Sequence, residues 1–410
     1  MSQVESLYFS VEVYRMKILG FPLTDIKIMI KNIIIWVLSA LVPKDKQLYL
    51  IGGWFGERFA DNSRYLYLYN YIDSQTPKKV VWITSNEKIY EFLKNASLPV
   101  EMKGTWKSKW LHLKAGTHII DQCCNDLDGY YSVRANRINI WHGIPMKKIW
   151  TEKKTQGGRV YSLLRDKGWF SVGRWSNFSL VAPSEFSENL FKQCLTNPNC
   201  KIIRKQYPRI NYLSSQNRDK YYLTEFEKLQ IEQIKKKKHD YNIVMYFPTF
   251  RDTSSTLPFG ATDKKQLDEL FNKLNDLNIL IVMKPHFAEH GNVAFDYPNL
   301  LLLDKDADIY PFLPISDALI TDYSSICFDY LVLDKPIVYN PYDYDFYKNS
   351  DRGLLLDYDN YTPGYKAYNV DELLNVLSDL KNNDWKDNFK EERTKLATLL
   401  FDEKLPMLLG

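Results

Sequence analysis

Residues 315–339 read ISDALITDYSSICFDYLVLDKPIVY, and the fold class follows from their pattern. It predicts an apolar strand over Ala318–Thr321, a polar turn, a helix over Ser325–Leu333 and a second strand over Pro336–Tyr339. A strand, a helix and another strand in this order, with both strands apolar throughout, are typical of a parallel sheet that is buried on both faces. The stretch therefore predicts the α/β class.

The same alternation of strands and helices continues on both sides of this stretch. In the C-terminal half we expect strands at Tyr241–Tyr246, Ile279–Met283 and Leu300–Leu303, and helices at Asp263–Leu277 and Ile309–Leu313. In the N-terminal half we expect strands at Leu48–Ile51, Lys79–Thr84, His118–Asp121, Arg137–Trp141 and Ser179–Ala182, with a helix from Ser184 through Cys194. The pattern indicates one doubly wound sheet in each half.

A polar, lysine-rich stretch at 214–238 separates the two halves, and its KKKK run at 235–238 is typical of a solvated helix end. A chain of 410 residues suits two cores of similar size. We therefore expect one domain over 1–225 and a second over 226–385. The remaining 386–410 predicts a helix that crosses back to the first domain.

The most apolar stretch of the chain is 24–42, TDIKIMIKNIIIWVLSALV. Lys27 and Lys31 interrupt it, so its apolar run is short of the ~20 residues that span a bilayer. It predicts either an interfacial helix, with Trp36 at the headgroup level and lysines toward anionic lipid, or a buried first helix of the N-terminal domain. A secretory signal pattern is not recognisable near Met1.

Composition excludes several classes of protein. The net charge of +4 is too small to indicate a nucleic-acid partner. Five cysteines without a CxxC pair fit a reduced, cytoplasmic compartment and give no zinc cluster. Walker, GxGxxG and GxSxG motifs do not occur, which argues against a nucleotide hydrolase, a nicotinamide enzyme and an esterase. The 29 tyrosines fit either a polyol-binding site or a general compositional bias.

Polar residues follow a predicted strand in the N-terminal half, where 140–148 reads IWHGIPMKK. A histidine directly after a buried strand, followed by Gly143 and Pro145, is held in a turn at the edge of the sheet. There the imidazole of His142 can take a proton near neutral pH. A lone histidine is more often structural, but the residues around this one favour a functional role.

Three similar clusters follow strands in the C-terminal half. They are PTFRD at 248–252, KPH at 284–286 and TDYSS at 321–325. Arg251, Lys284 and His286 offer positive charge and hydrogen-bond donors to phosphate groups. Ser324 and Ser325 stand at a helix start, which is a typical anion site, although a plain helix cap also explains them.

These motifs resemble those of the CDP-glycerol glycerophosphotransferase family, whose members build teichoic acids and related polyol-phosphate polymers. The resemblance runs from about Tyr49 to Leu380. It rests on NIWHGIPMKKI at 139–149, YPRIN at 207–211, YFPTFRD at 246–252, ISDALITDYSSICFD at 315–329, and on Gly52–Tyr69 with its Asp61-Asn62, Arg352-Gly353 and Pro363-Gly364. This chain has YPRIN where the family has YPRND. The lysine of KPH also departs from the family's usual pattern.

The resemblance implies a GT-B fold, two Rossmann-like domains that face a central cleft. It also implies that an acceptor hydroxyl attacks the β-phosphorus of CDP-glycerol, so that CMP leaves and a phosphodiester forms. The residues implied as catalytic are His142 as the base, His286 and Asp322. Asp322 is also expected to orient the loop or a catalytic partner. The residues implied to bind substrate are Gly143, Arg251, Lys284, Ser324, Ser325, Arg352 and, at the ribose, Asp329.

The expected partners are CDP-glycerol, which is a substrate, and a glycan, polyol-phosphate or lipid-linked acceptor at the cytoplasmic face of the membrane. We expect neither a metal nor a cofactor, because cationic side chains can neutralise the phosphates. Three alternatives stay open: a ribitol donor, a nucleotide-sugar glycosyltransferase and a catalytically silent scaffold. The sequence also leaves open the acceptor, the number of transfers and the oligomeric state.

Overall fold

The computed structural model describes residues 17–18, 21–147, 149, 178–195, 200–249, 257–284, 296–350 and 353–409. These residues form two compact units. The first unit comprises the described residues within 17–142, 178–222 and 401–409, and the second comprises those within 143–149 and 223–400. Each unit is built on its own parallel sheet with helices in the connections, so the predicted α/β class with two Rossmann-like sheets is confirmed.

The first unit contains a parallel sheet of seven described strands in the order β5-β4-β3-β6-β7-β8-β9. The strands are β3 (Asp45–Ile51), β4 (Lys79–Thr84), β5 (Val100–Met102), β6 (Ala115–Ile120), β7 (Asn136–Asn139), β8 (Ser179–Ala182) and β9 (Lys201–Arg204). Two short strands near the start, β1 (Lys17–Ile18) and β2 (Phe21–Pro22), pair antiparallel with each other. Leu50 and Ile83 are fully buried, which explains the apolar runs that predicted their strands.

Six described helices belong to the first unit. They are α1 (Leu23–Ala40), α2 (Asp61–Ile72), α3 (Glu87–Asn95), α4 (Trp106–Lys114), α5 (Glu185–Cys194) and α6 (Pro208–Ser214). Polar side chains fix several of their starts. Asn86 accepts a hydrogen bond from the backbone N–H of Lys88 at 3.0 Å, and Ser184 accepts one from Ser187 at 3.1 Å.

The second unit contains a parallel sheet of six described strands in the order β12-β11-β10-β13-β14-β15. The strands are β10 (Asn242–Tyr246), β11 (Ile279–Met283), β12 (Leu300–Leu302), β13 (Ala318–Thr321), β14 (Ile337–Tyr339) and β15 (Tyr365–Lys366). The described helices of this unit are α7 (Glu225–Lys237), α8 (Lys264–Asp276), α9 (Ile326–Tyr330), α10 (Tyr344–Ser350), α11 (Val370–Asn382) and α12 (Lys390–Leu400). Apolar residues of α8 and α11 pack with the central strands into one buried core.

Two helical segments differ in detail from the expectation. The helix predicted at Ile309–Leu313 is wrong, because the chain there makes a turn and then a 3-10 helix at Leu313–Ile315. Pro311 and Pro314 lack the backbone N–H that an α-helix needs. The helix after β13 starts at Ile326 and tightens into a 3-10 helix at Leu331–Leu333.

The C-terminal segment contributes to both units. Helix α12 belongs to the second unit, where Arg393 pairs with Asp387 at 2.6 Å. Residues 401–409 group with the first unit and are not helical. Within that unit the N–H of Asp402 donates to the carbonyl of Pro183 at 2.8 Å.

Helix α1 presents its apolar residues to the outside. It buries Asn32, Ile35 and Ser39. The exposed apolar residues are Ile30, Ile33, Ile34, Trp36, Val37 and Leu38, whereas Leu23, Ile26, Ile28 and Met29 are half-buried. This pattern is the reverse of the usual amphipathic helix, which buries its apolar face. No helix among the described residues is both long and apolar enough to cross a membrane.

Candidate active site

The order of the described strands reverses within each sheet, and open parallel sheets bind ligands at such switch points. In the first sheet the switch lies between β3 and β6, and in the second between β10 and β13. Gly52-Gly53 follows β3 and Asp121 follows β6, whereas Thr249 comes after β10 and Asp322 after β13. The residues beyond these four strands therefore outline a candidate site in each unit.

His142 lies beyond β7, next to the switch point of the first sheet. Its Nδ1 is 3.1 Å from the carbonyl oxygen of Asp121, which can only accept a hydrogen bond. In the neutral ring Nδ1 therefore carries the proton, and Nε2 is the basic nitrogen. The rings of Trp141 and His142 lie together with centroids 4.2 Å apart. These contacts fix the tautomer and the plane of the imidazole, as a general base requires.

The backbone around His142 is held in an unusual conformation. Trp141 has a φ of +54°, and its N–H donates to the side chain of Asn139 at 2.8 Å. The carbonyl of Trp141 accepts a hydrogen bond from Asn62 at 2.8 Å. Gly143, the first residue of the motif that groups with the second unit, has a φ of +142°, a conformation that favours glycine. Trp141 and Gly143, the neighbours of His142, thus both have uncommon φ angles, and the hydrogen bonds of Trp141 help to hold the backbone at His142.

The segments that read Asp61-Asn62 and YPRIN meet behind this loop. Nη1 of Arg209 is 2.5 Å from Oδ1 of Asp61, and both residues are buried. The N–H of Arg209 also donates to the side chain of Asn62 at 3.3 Å, and Asn62 in turn holds the carbonyl of Trp141. The buried ion pair therefore supports the peptide that precedes His142.

The carboxylate of Asp126 organises the loop that carries the carbonyl facing His142. Its Oδ2 accepts the N–H groups of Asp121 at 3.0 Å, Gln122 at 2.7 Å and Cys123 at 3.2 Å. Its Oδ1 accepts the N–H of Phe55, in the loop after β3, at 2.8 Å. Burial raises the pKa of Asp126 to about 6, although the backbone hydrogen bonds favour its charged form. One side chain thus joins the loops on both sides of the switch point.

The side chain of Asp121 is fully buried beneath the same loops. Its Oδ1 accepts the N–H of Trp54 at 3.3 Å, and a Cβ added to Gly53 would lie only 2.7 Å from its Oδ2. Burial, and then the neighbouring Asp126 and Asp61, raise the pKa of Asp121 well above its ordinary value. Gly53 therefore permits a close approach that a larger residue would block, and Asp121 favours its neutral form.

In the second unit, Asp322 ties together the loops after β10 and β13. Its Oδ1 accepts the N–H of Thr249 at 2.7 Å and that of Tyr323 at 2.6 Å. Its carbonyl accepts the hydroxyl of Tyr358 at 3.1 Å, and Asp322 itself is buried. These contacts give Asp322 the geometry of a residue that orients the TDYSS loop.

Ser324 and Ser325 are half-buried at the start of α9. Ser325 occupies the N-cap position, but its side chain makes no capping hydrogen bond to the helix. The plain-cap alternative therefore lacks the contact on which it depends. Both hydroxyls stand beside the switch point of the second sheet, where an anion would meet the first N–H groups of α9.

Two further predicted residues of the second unit have protein contacts. Lys284 follows β11, and its Nζ donates to the carbonyl of Ala307. Asp329 is buried in α9, and its Oδ2 accepts the hydroxyl of Tyr310 at 2.9 Å. Arg251, His286 and Arg352 lie outside the described residues. The described part of the chain contains no group of three His, Cys, Asp or Glu residues that could hold a metal ion.

Sequence reasoning missed the supporting residues of the first unit. Asp121 was predicted only as a strand end, Asp126 was not singled out, and Arg209 entered only through a motif. The available signal was the pair of aspartates spaced five residues apart directly after an apolar strand run. Aspartates at that spacing are common in turns, so the signal becomes informative only with the loop geometry.

Comparison with known proteins identifies relatives of most of the chain. Residues 35–402 match the family described as CDP-glycerol:poly(glycerophosphate) glycerophosphotransferase. A teichoic acid glycerol-phosphate transferase of Staphylococcus aureus is 28% identical over 82% of this chain and 84% of its own length. A teichoic acid poly(glycerol phosphate) polymerase of Bacillus spizizenii is 25% identical over 85% of this chain and 87% of its own length.

A solved structure has the same fold. The wall teichoic acid polymerase TagF superposes with a TM-score of 0.62 and 19% identity, over 93% of this chain and 93% of that one. At this identity the likeness shows the fold alone, and it supports the predicted GT-B class.

Proposed function

This chain belongs to the CDP-glycerol:poly(glycerophosphate) glycerophosphotransferase family, and we propose the roles of its residues and the nature of its acceptor on that basis. The enzyme transfers glycerol phosphate from CDP-glycerol in teichoic acid synthesis, with release of CMP. The acceptor is the hydroxyl of a membrane-linked or polymer chain, of the teichoic-acid or capsule type. The observation that best supports this chemistry is the fixed tautomer of His142 next to the switch point of the first sheet.

In the reaction, the acceptor oxygen forms a bond to the β-phosphorus of the donor as the bond from that phosphorus to the CMP oxygen breaks. Nε2 of His142 takes the proton of the attacking hydroxyl. The hydrogen bond from Nδ1 to the Asp121 carbonyl stabilises the imidazolium that results. His142 thus has a basic nitrogen for the acceptor and a fixed partner for the opposite nitrogen.

The second unit holds the donor. Arg251, Lys284, His286 and Arg352 supply positive charge to the pyrophosphate, and Ser324 and Ser325 supply hydroxyl donors. Asp322 keeps the TDYSS loop in place through the N–H groups of Thr249 and Tyr323. Asp329, whose Oδ2 accepts the Tyr310 hydroxyl, stands on the same helix and is the acceptor for the ribose hydroxyls. In this proposal the second unit binds the donor, and α9 and the TDYSS loop before it form part of the binding site. No metal or cofactor takes part in this scheme.

Donor choice is tested by incubating the protein separately with CDP-glycerol and CDP-ribitol and measuring CMP with candidate acceptors. We expect acceptor-dependent CMP release from CDP-glycerol and much less from CDP-ribitol. Equal or greater release from CDP-ribitol would assign the chain to ribitol phosphate transfer. Turnover of a nucleotide sugar with neither CDP-polyol used would instead favour the glycosyltransferase alternative.

Ser324→Ala and Ser325→Ala are expected to weaken the binding of CDP-glycerol and CDP while leaving cytidine binding almost unchanged. A hydrogen bond to a charged phosphate contributes about 1.5–3 kcal/mol, which corresponds to roughly tenfold to a hundredfold in affinity. Calorimetric affinity and melting temperature are measured on the same samples. Thr394→Ala, in an exposed part of α12, serves as the control. A lower melting temperature with intact CDP affinity would identify the serines as helix caps only.

The exposed face of α1 supports the proposal that the enzyme works on the cytoplasmic surface of the membrane. Ile30, Ile33, Ile34, Trp36, Val37, Leu38 and Leu41 are between 42% and 78% exposed. Lys27, Lys31 and Lys46 are exposed on or near the same helix, and lysines of this kind attract anionic headgroups. An apolar face of this size with lysines beside it fits a helix that lies in the interface. A lipid-linked acceptor would meet the enzyme there.

Replacing Ile34, Trp36 and Leu41 by serine is expected to release the protein from vesicles that contain phosphatidylglycerol. Burying a large apolar side chain contributes about 1.5–3 kcal/mol. Loss of three side chains that are partly buried in the lipid should therefore weaken vesicle binding by at least about tenfold. Co-sedimentation measures the bound fraction, and the melting temperature shows whether the fold is intact. Leu229→Ser is a matched control, since Leu229 is 60% exposed on α7. Unchanged vesicle binding by the triple variant would contradict this assignment.

A further inference from the structure

Two adjacent thiols, Cys123 and Cys124, lie in the loop that follows β6. This loop also carries the Asp121 carbonyl, which is 3.1 Å from Nδ1 of His142. All five cysteines of the chain are described as free thiols. Cys194 and Cys327 are buried, whereas Cys123 and Cys124 are half-buried. The reaction described above uses neither of the adjacent thiols.

Both thiols are tied to the contacts that shape the loop. The N–H of Cys123 donates to Oδ2 of Asp126 at 3.2 Å, and its Sγ accepts the N–H of Asn125 at 3.4 Å. Sγ of Cys124 lies 4.0 Å from Oδ1 of Asn125. Asp126 also holds the N–H of Asp121 at 3.0 Å. A chemical change at the sulfur atoms therefore acts on the same short loop that positions the carbonyl beside His142.

The surroundings divide the two thiols into different chemical roles. The hydrogen bond between the thiols lowers the pKa of Cys124 and raises that of Cys123, and the Lys103 cation lowers the pKa of Cys124 further. Burial and the Asp126 carboxylate act in the opposite direction on Cys124. Nζ of Lys103 donates to the carbonyl of Asn125 in this loop and, at 3.2 Å, to the carbonyl of Phe55 in the loop after β3. Because the thiolate is the reactive form, this difference favours Cys124 as the sulfur that attacks first and Cys123 as the second one.

We propose that Cys123 and Cys124 form a vicinal dithiol site, which peroxides oxidise and trivalent arsenicals bridge, and that its modification slows transfer by moving the Asp121 carbonyl away from His142. The effect on transfer rests on the role proposed for His142. The existence of the dithiol site is inferred separately, from the adjacency, the partial exposure and the loop contacts of the two thiols.

The oxidation consumes one peroxide for each dithiol. The Cys124 thiolate attacks a peroxide oxygen, an S–O bond forms, the O–O bond breaks and hydroxide leaves. The Cys123 sulfur then attacks the sulfenic acid, an S–S bond forms, and the S–O oxygen leaves as water with the thiol proton. With an arsenical that carries an oxo group, two S–As bonds form and that oxygen leaves as water, without any change of oxidation state.

A disulfide here would be reversible and would force the loop to move. Neighbouring Cα atoms are about 3.8 Å apart across a trans peptide, below the usual 4.4–6.8 Å of disulfide-linked residues. The resulting strain makes the bond easier to reduce, as in labile regulatory disulfides. Hydrogen bonds to Asn125 and Asp126 hold Cys123 in place. The strain of the disulfide is therefore relieved by movement of the loop backbone.

The test compares treated with untreated enzyme for the full-length chain and its variants. Phenylarsine oxide and hydrogen peroxide are each added, thiols are mapped by peptide mass spectrometry, and CMP release from CDP-glycerol is measured. We expect a link between residues 123 and 124, and a loss of turnover of about tenfold or more, the scale expected for a misplaced catalytic group. A dithiol reductant should restore turnover. Cys123→Ser and Cys124→Ser should each remove the arsenical effect, whereas Cys200→Ser should keep it.

The two readouts separate this proposal from the proposed function. Mass spectrometry reports the link whether or not the enzyme turns over, and the untreated enzyme reports the reaction whether or not the thiols react. Modification at other cysteines, or inhibition that persists in both single variants, would overturn the dithiol site. A complete link between residues 123 and 124 with full turnover would overturn its effect on His142.

Discussion

We expect the substitution His142→Ala to lower turnover by about 10²-fold or more and to change the affinity for CDP-glycerol only a little. The physical reason is the loss of the basic Nε2 that takes the proton of the acceptor hydroxyl. His142→Asn sharpens the test, because an asparagine side chain has an N–H donor for the Asp121 carbonyl but no basic nitrogen. Both variants should therefore lose turnover to a similar extent, as measured by CMP release at saturating donor.

The control for these variants is His239→Ala. His239 is highly exposed in the second unit, beside Asp240, and has no role in the site. It should keep full turnover under the same conditions. Near-normal turnover of His142→Ala would remove His142 from the mechanism. Activity retained by His142→Asn alone would show that the histidine acts through its hydrogen bond to the loop and not as a base.

Arg209→Met is expected to destabilise the first unit by about 3–5 kcal/mol, since it leaves the buried Asp61 carboxylate without its partner. Arg209 and Asp61 are 1% and 6% exposed, and their charged groups are 2.5 Å apart. Adding Asp61→Asn should recover part of the loss, because the amide carries no charge to bury and asparagine tolerates the φ of +63° at this position. Urea unfolding measures both variants.

A surface ion pair provides the control for this prediction. Lys220 and Asp73 also pair within the first unit, but both side chains are partly exposed. Lys220→Met should cost less than about 1 kcal/mol, as is usual for exposed pairs. A cost for Arg209→Met no larger than that of Lys220→Met would contradict a supporting role for the buried pair.

The strands predicted with the observed bounds are interior strands of the two parallel sheets. Lys79–Thr84, Ser179–Ala182, Ile279–Met283 and Ala318–Thr321 were predicted with the bounds that the structure shows. They lie inside parallel sheets, where burial on both faces produces continuous apolar runs. The strands of these two sheets that were not predicted are Val100–Met102, Lys201–Arg204 and Tyr365–Lys366. All three lie at sheet edges, where shorter and more polar strands give weak signals, whereas the fourth edge strand, Leu300–Leu302, was predicted from its leucines.

Some residues of the candidate site could likewise be predicted from the sequence, and others could not. His142 and the TDYSS residues were predictable because they follow apolar strands within recognisable motifs. The contacts of Arg209 with Asp61 and Asn62 join positions almost 150 residues apart in sequence, at separations of 148 and 147. The four backbone N–H groups that meet at Asp126 belong to two loops after different strands. No local sequence pattern encodes such convergence, since it depends on the order of strands in the sheet.

The stoichiometry of transfer shows whether glycerol phosphate is the group that moves from CDP-glycerol to the acceptor. Purified protein is incubated with glycerol-labelled CDP-glycerol and a polyol-phosphate or lipid-linked acceptor, and CMP and labelled acceptor are both quantified. We expect one equivalent of CMP for each glycerol phosphate that enters the acceptor through a phosphodiester. Release of CDP in place of CMP, or of CMP without label in any of the acceptors, would contradict this expectation.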